Sequence, residues 1–218
     1  MGVAKANQGR LAEGEADIRR ALLSRLKSQG KYATTTAGII SRLALVVSQQ
    51  GRYAEAEQLD RAALEIRRTL GVDPSSEAIV SSLRRLSALA TLQRRNEEAV
   101  KIDAEIDQII RSWEPRRREL YELDSSRIYS LIAVGRPADA LPLAQRFLQR
   151  ETARLGETSG DTAIARGVLG VALAVVGRDA EALAEFRKAV PPLLATTRTT
   201  DIDESAVVAM RNIRIRNR

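Results

Sequence analysis

Apolar residues recur along this chain at helical spacing. Leu43, Val46 and Val47 form one such stripe, and Ala56, Leu59, Ala63 and Ile66 form the next. Gly51 stands between them, where a helix C-cap needs left-handed backbone angles. Glu55 follows in the first turn of the next helix, near the positive end of its dipole. The pattern therefore predicts a helix, a tight turn and a second helix. Helix breakers separate one such unit from the next, at Asp73-Pro-Ser-Ser76, Glu114-Pro115 and Thr158-Ser-Gly-Asp161. No segment reads as a strand.

The unit repeats. Gly51-Arg-Tyr-Ala-Glu-Ala-Glu57 has relatives in Gly9-Arg-Leu-Ala-Glu-Gly-Glu15, Arg94-Arg-Asn-Glu-Glu-Ala-Val100, Gly135-Arg-Pro-Ala-Asp-Ala-Leu141 and Gly177-Arg-Asp-Ala-Glu-Ala-Leu183. Their first residues are separated by 42, 43, 41 and 42 positions. Self-similarity at a fixed period of this length is the mark of a helical solenoid.

The segment Leu43-Ala44…Gly51-Arg-Tyr-Ala-Glu-Ala-Glu-Gln-Leu…Ala62-Ala-Leu-Glu-Ile-Arg67…Leu70-Gly71 resembles the long tetratricopeptide repeat of kinesin light chains. The ordinary repeat has about 34 residues, and eight more add about one turn to each helix. The resemblance implies an all-α, right-handed α-α superhelix of four to five antiparallel helix pairs, without a β-sheet. Residues 1–218 read as a single domain, with turns near 9, 51, 94, 135 and 177.

Several positions follow the family pattern. A small residue is expected five after the turn, where Gly14, Ala56, Ala99, Ala140 and Ala182 stand. Another is expected seven further on; Ala21, Ala63 and Ala189 comply, whereas Ile106 and Phe147 do not. Leu43, Leu86 and Leu169 fill the apolar slot eight before the turn, and Ala44, Ser87 and Gly170 the small slot after it. The third repeat departs, with Arg127 and Ile128 in those slots. Its shorter spacing predicts a one-residue slip that brings Ile128 into the apolar slot and leaves Arg127 outside the core. Pro191-Pro192 is expected to kink or end the last second helix.

Both ends read as cut. Residues 1–8 supply only the end of a first helix, and Ser205 to Arg218 the start of another, with no polar cap at either. The chain is therefore expected to be a piece of a longer protein. The run from Gly160 through Gly177-Arg-Asp-Ala-Glu-Ala-Leu to Pro191 resembles the repeats that precede CHAT domains in bacterial proteins. CHAT domains are caspase-like and use a His–Cys pair, so the resemblance implies that any catalytic part lies beyond Arg218.

Composition narrows function further. The 218 residues include neither Cys nor His, which removes thiolate nucleophiles, the usual near-neutral base and the commonest metal ligand. No catalytic residue, cofactor or metal site is expected. Arg outnumbers Lys heavily, since only Lys5, Lys27, Lys31, Lys101 and Lys188 occur among 35 basic residues. That bias fits a GC-rich bacterial genome. The longest uncharged apolar run, Gly167 to Gly177, falls short of the ~20 residues that span a bilayer. A cytoplasmic protein without membrane contact is the expectation.

In the family, first helices line the concave face. The resemblance carries this role to Ser41, Arg84, Ser125 and Gly167, to Leu45, Ala88, Tyr129 and Val171, and to Gly38, Ser81, Glu122 and Ile164. Ser41, Leu45, Ser81, Arg84, Ala88, Ser125, Tyr129 and Val171 form the candidate partner-binding groove, small, mixed and partly apolar, suited to an extended peptide or a helix. The alternative is that several of them simply pack between neighbouring helices.

Arg116-Arg117-Arg118 after Pro115 reads as a solvated charge run, with a clamp for phosphate or an acidic partner as the alternative. Arg211, Arg214, Arg216 and Arg218 read as one exposed helix face, and Trp113 as a seal between repeats. Asp124 and Arg127 stand at ion-pair spacing.

The leading reading is a non-catalytic protein-interaction scaffold whose groove takes a protein or peptide, including a segment of its own parent chain. Under the CHAT resemblance it is the regulatory arm of a CHAT-type protease. The alternative is a helical-repeat nucleic-acid binder, motivated by the net charge of +7. Against it, residues 1–50 hold the excess, with eight basic and three acidic side chains, and aromatics for base stacking are few. A third reading is self-association through uncapped solenoid ends.

Overall fold

A computed structural model describes Ala6 and residues 9–196, with side chains up to Leu194. The helices of known bounds are α1 (Leu11–Gln29), α2 (Thr34–Gln49), α3 (Tyr53–Thr69), α4 (Glu77–Leu92), α5 (Asn96–Ile110), α6 (Pro115–Glu122), α7 (Ser125–Ala133), α8 (Pro137–Leu155), α9 (Gly160–Val175) and α10 (Asp179–Thr196). Among the described residues there is no strand. Ala6 is helical and buried. The other residues expected to end a first helix, the helix expected at 205–218 and its four arginines lie outside the described residues.

Three of the turns are built the same way. Gly51 has φ +77°, and the N–H groups of Gly51 and Arg52 donate back to Ser48 and Val47 carbonyls at 2.9 and 3.2 Å. Gly135 with Arg136, and Gly177 with Arg178, repeat this pattern at φ +78° and +79°. These bonds satisfy carbonyls that the helix end would otherwise leave open. In the second repeat Arg94 holds the same place with φ +61°, the one non-glycine residue in the left-handed region among those described.

The arginine that follows each turn also has a structural reason. Arg10, Arg52, Arg95, Arg136 and Arg178 each reach the acid three residues on: Glu13, Glu55, Glu98, Asp139 and Glu181. The acid sits in the first helical turn, where the dipole favours it, and the guanidinium bridges back across the helix start.

The packing forms two compact units, Met1–Gln93 with Ile102–Ser112, and Arg94–Lys101 with Trp113–Arg218. In the first, Leu43, Val46 and Val47 of α2 pack with Ile18 of α1, Ala56 of α3 and Leu89 of α4. Farther along the same helices, Ala37 and Ile40 pack with Ala63 and Ile66. In the second unit Ile128, Leu131, Ala140, Ala144, Val168, Leu169, Ala172, Leu173 and Ala182 form the core. At its edge Trp113 meets Tyr121 edge to face at 5.2 Å, while Arg117 stacks over the indole at 3.9 Å.

The small residues five after each turn are all buried. Ala63 and Ala189 are buried too, but Ala21 is exposed.

The third pair differs from the repeat pattern in a way the spacing did not locate. Ile128 is fully buried and Arg127 half-buried, as expected. The turn hydrogen bonds nevertheless keep the common register, Arg136 N–H donating to Leu131 O at 2.8 Å. The irregularity lies upstream, where the first helix breaks at Leu123–Asp124 into α6 and α7. Asp124 caps the new start, its Oδ1 accepting from the Ser126 N–H at 2.9 Å. The expected interruption at Pro191-Pro192 is not an end, since α10 runs through both to Thr196. The two missing N–H donors would have served carbonyls of Arg187 and Lys188, both exposed, so water can replace them.

Candidate protein-interaction surface

In the first unit the candidate groove residues lie on α2 and α4. Leu45 is 42% exposed and Arg84 is exposed, while Ser41, Ser81 and Ala88 are half-buried. Beneath them runs a polar floor. Arg67 of α3 is buried, and its Nη1 donates to Ser82 Oγ at 3.0 Å while Nη2 donates to Ser41 Oγ at 3.1 Å. One guanidinium thus ties the two first helices together from below. Ser41 is engaged from the floor as well as placed beside Leu45.

Asp60 of α3, 1% exposed, completes this floor. Arg85 of α4 donates to it through Nε at 2.9 Å and Nη2 at 2.7 Å. Burial raises the Asp60 carboxyl above its usual range, against the pull of Arg85. Burial, followed by repulsion from Arg85, lowers Arg67. Two guanidiniums against one carboxylate leave the floor positive. The arrangement can hold a polar or acidic group beside an apolar contact; it contains no activated nucleophile.

Sequence reasoning missed this network. Asp60 stands nine after its turn, as do Asp103, Ile18, Ala144 and Phe186. A charged residue in a register that is elsewhere apolar was the available signal. Asp103 behaves alike, accepting from Ser87 Oγ at 2.7 Å.

In the second unit Ser125 and Val171 are half-buried. Tyr129, expected to face a partner, is a correction. It is 6% exposed, belongs to the core around Ile128 and Leu131, and its hydroxyl has no hydrogen-bond partner among the described residues. Burial raises that hydroxyl far above the usual phenol range. The ring packs within that core, with Val168, Leu169 and Leu173 of α9 among its members. Gly167 is buried as well, while Glu122 and Ile164 are half-buried.

Four of the eight basic side chains in residues 1–50, Arg10, Arg19, Arg20 and Lys31, are ion-paired. Arg19 bridges Glu15 at 2.8 Å and Glu55 at 2.7 Å, Arg52 also reaches Glu15 at 2.8 Å, and Lys31 lies 3.7 Å from Glu65. Of the described helices, none is long and apolar enough to cross a membrane. No group of three or more Asp or Glu among the described residues is placed to hold a metal ion.

Residues 36–75 match the tetratricopeptide repeat. No curated protein matches the sequence. Solved structures share the fold. One, a substituted variant from Podosopora anserina, is described as a kinesin light chain with nearly identical TPR-like repeats; it has a TM-score of 0.67 at 15% identity, covering 91% of this chain and 93% of its own. BtubC (BKLC) from P. vanneervenii gives 0.65 at 19% identity, covering 93% and 80%. MamA gives 0.56 at 13% identity, covering 91% and 97%. At these identities the likeness is one of fold.

Proposed function

We propose that this tetratricopeptide-repeat chain is a non-catalytic protein-interaction scaffold that takes a peptide or partner segment against its first helices. The observation that carries the reading is the surface of α2 and α4. There Leu45 and Arg84 are exposed beside Ser41, Ser81 and Ala88, over a floor held rigid by Arg67. A pre-ordered surface with an apolar anchor and a few polar groups loses little entropy on binding an extended segment. The resemblance of Gly160–Pro191 to repeats before CHAT domains supports a finer reading, in which the partner segment belongs to the same parent chain and the repeats form the sensing arm of a CHAT-type protease.

Ion pairing in residues 10–55 counts against a nucleic-acid surface, because those guanidiniums already face carboxylates.

Photo-crosslinking in the source cells tests the scaffold reading. A crosslinker at Leu45 or Ala88 is expected to capture one defined polypeptide, whereas at the exposed Glu65 and Arg68 of α3 it is expected to capture none. Equal labelling from both faces, or none from either, would overturn it. The intact mass of the endogenous protein tests the finer reading, and a mass no larger than this chain's would end it.

A further inference from the structure

We propose that the cleft between α6 and α8 is a second binding site, one that takes an extended acidic peptide with carboxylates at alternate positions. The cleft has a volume of about 710 Å³ and lies beside the helix break, with Leu123 in its wall. Arg146, Arg150 and Arg154 line it from α8, and Arg116 from α6. Glu119 is the one acid in the wall.

Geometry favours a repeating ligand. Residues four apart on a helix are neighbours on one face, about 6 Å apart along the axis. Alternate side chains of an extended strand fall on one side about 6.6–6.8 Å apart. Three arginines at four-residue intervals therefore match three carboxylates at two-residue intervals, with less than about 1 Å of mismatch per step, which long flexible side chains absorb. Ala153 adds an exposed apolar spot between the arginines, while the intervening side chains of the ligand face away from the cleft.

The arginines are positioned, and Arg116, Arg146 and Arg154 are not used up. Arg150 is fixed, with Nη1 donating to the Glu119 carbonyl at 2.8 Å and with Nε and Nη2 facing Glu151 at 2.8 and 2.7 Å. Arg154, 55% exposed, shares Glu151 through Nη2 at 2.6 Å and lies 3.5 Å from Asp161 at the rim. Arg146, 45% exposed, has only long contacts of 3.2 Å to Glu119 and 3.4 Å to Glu122. Glu122 is also met by Arg118 at 2.8 Å. Arg116 has no ion-pair partner among the described residues. With Glu119 and Glu151 set against the four arginines, an excess of two positive charges remains, before the exposed Asp161 at the rim. Guanidinium forks bind carboxylates in a planar, two-pronged manner, which rewards spacing and not charge alone. Phosphates of a nucleic acid suit the site less, because Glu119 stands in the wall and the nearby Trp113 is buried.

Fluorescence anisotropy with the full chain at low salt tests the proposal, using two labelled synthetic peptides of equal charge. One alternates Glu and Ser over seven residues, and the other carries its four Glu as a block. The alternating peptide is expected to bind at least about fivefold more tightly, and Arg116→Gln with Arg146→Gln to weaken it at least about tenfold. Arg116→Gln alone, which disturbs no ion pair, is expected to weaken it about threefold and serves if the double variant fails to fold. Arg20→Gln with Arg25→Gln removes the same charge from the other unit and is expected to change binding less than twofold. No binding, equal affinity for both peptides, or equal loss in the control variant would overturn the site. So would tighter binding of oligo-deoxythymidine that is lost in the same variants.

Discussion

A Cβ placed on Gly170 would lie 2.5 Å from Cε1 of Phe186, closer than any real side chain tolerates. Gly170 sits seven before its turn on α9, and Phe186 nine after it on α10, so the ring occupies the space a side chain on Gly170 would need. The same two registers hold Ile128 and Ala144 in the neighbouring pair, with large and small exchanged and both fully buried. In the first unit they hold Ala44 with Asp60, and Ser87 with Asp103. Each pair of helices thus divides a similar volume differently between its two members.

This relationship predicts that Gly170→Ala destabilises the protein by about 1–2 kcal/mol, overpacking outweighing the gain of about 1 kcal/mol in helix propensity. In a Phe186→Ala background the same change is expected to be neutral or stabilising. Urea unfolding of the four proteins, followed by circular dichroism, gives the coupling energy. Additive effects would show that the ring yields freely and that the close approach costs nothing.

Arg94 does the work of a turn glycine at φ +61°. A left-handed residue with a Cβ is strained by about 1–2 kcal/mol, and Arg94 is exposed, so its side chain anchors nothing that offsets this. Arg94→Gly is expected to raise stability by about 1 kcal/mol after the added entropy of the unfolded glycine is counted. The reverse change, Gly51→Ala, is expected to lower it by about 1 kcal/mol, although no atom lies within 4 Å of the new Cβ. Thermal melts of both variants decide this, and movement of the two melting temperatures in one direction would refute it.

The turns and the small buried positions were legible in the sequence because both are local. A left-handed dihedral favours glycine, which fills four of the five turns, and the residue five after the turn is small and buried in every repeat. The break at Leu123–Asp124 was not legible, because Leu123 continues the apolar stripe and no Pro or Gly marks the spot. The burial of Tyr129 was not legible either, since the same register holds the exposed Leu45 and the half-buried Ala88 and Val171. The Arg85–Asp60 bond joins residues 25 apart in sequence, so it depends on how α3 packs on α4 and not on any local pattern. The arginines of α8 were individually visible, but only the fold sets them opposite Arg116.

The Arg85–Asp60 pair makes stability depend on pH in an unusual sense. Burial holds the Asp60 carboxyl above its usual range, so the folded state binds its proton more tightly than the unfolded chain. Stability from this group is therefore greatest below the usual carboxylate range and falls as pH rises through the raised folded value. Arg85→Ala removes the hydrogen bonds to Asp60 and the larger opposing pull, leaving only Arg67 against the buried charge, which is expected to cost about 3 kcal/mol near neutral pH. Protonation relieves that cost, so the penalty is expected to shrink as pH falls toward 4. Denaturant midpoints for the two proteins between pH 4 and 8 test it, and a pH-independent difference would mean that Asp60 is not the group left exposed.

Tyr129 sets a simpler test of its own burial. Its hydroxyl is enclosed without a hydrogen-bond partner among the described residues, and a buried hydroxyl in that condition bears a desolvation cost of about 1–3 kcal/mol. Tyr129→Phe removes the oxygen and keeps the ring in the core, so it is expected to stabilise the protein by about 1 kcal/mol. The same burial raises the phenol far above the usual range, so its ionisation is expected only with unfolding. A spectrophotometric titration at 295 nm, comparing wild type with Tyr129→Phe, is expected to show the same number of tyrosines ionising below pH 11. A phenol that titrates normally, together with a destabilised Phe variant, would place Tyr129 back on the surface where a partner could reach it.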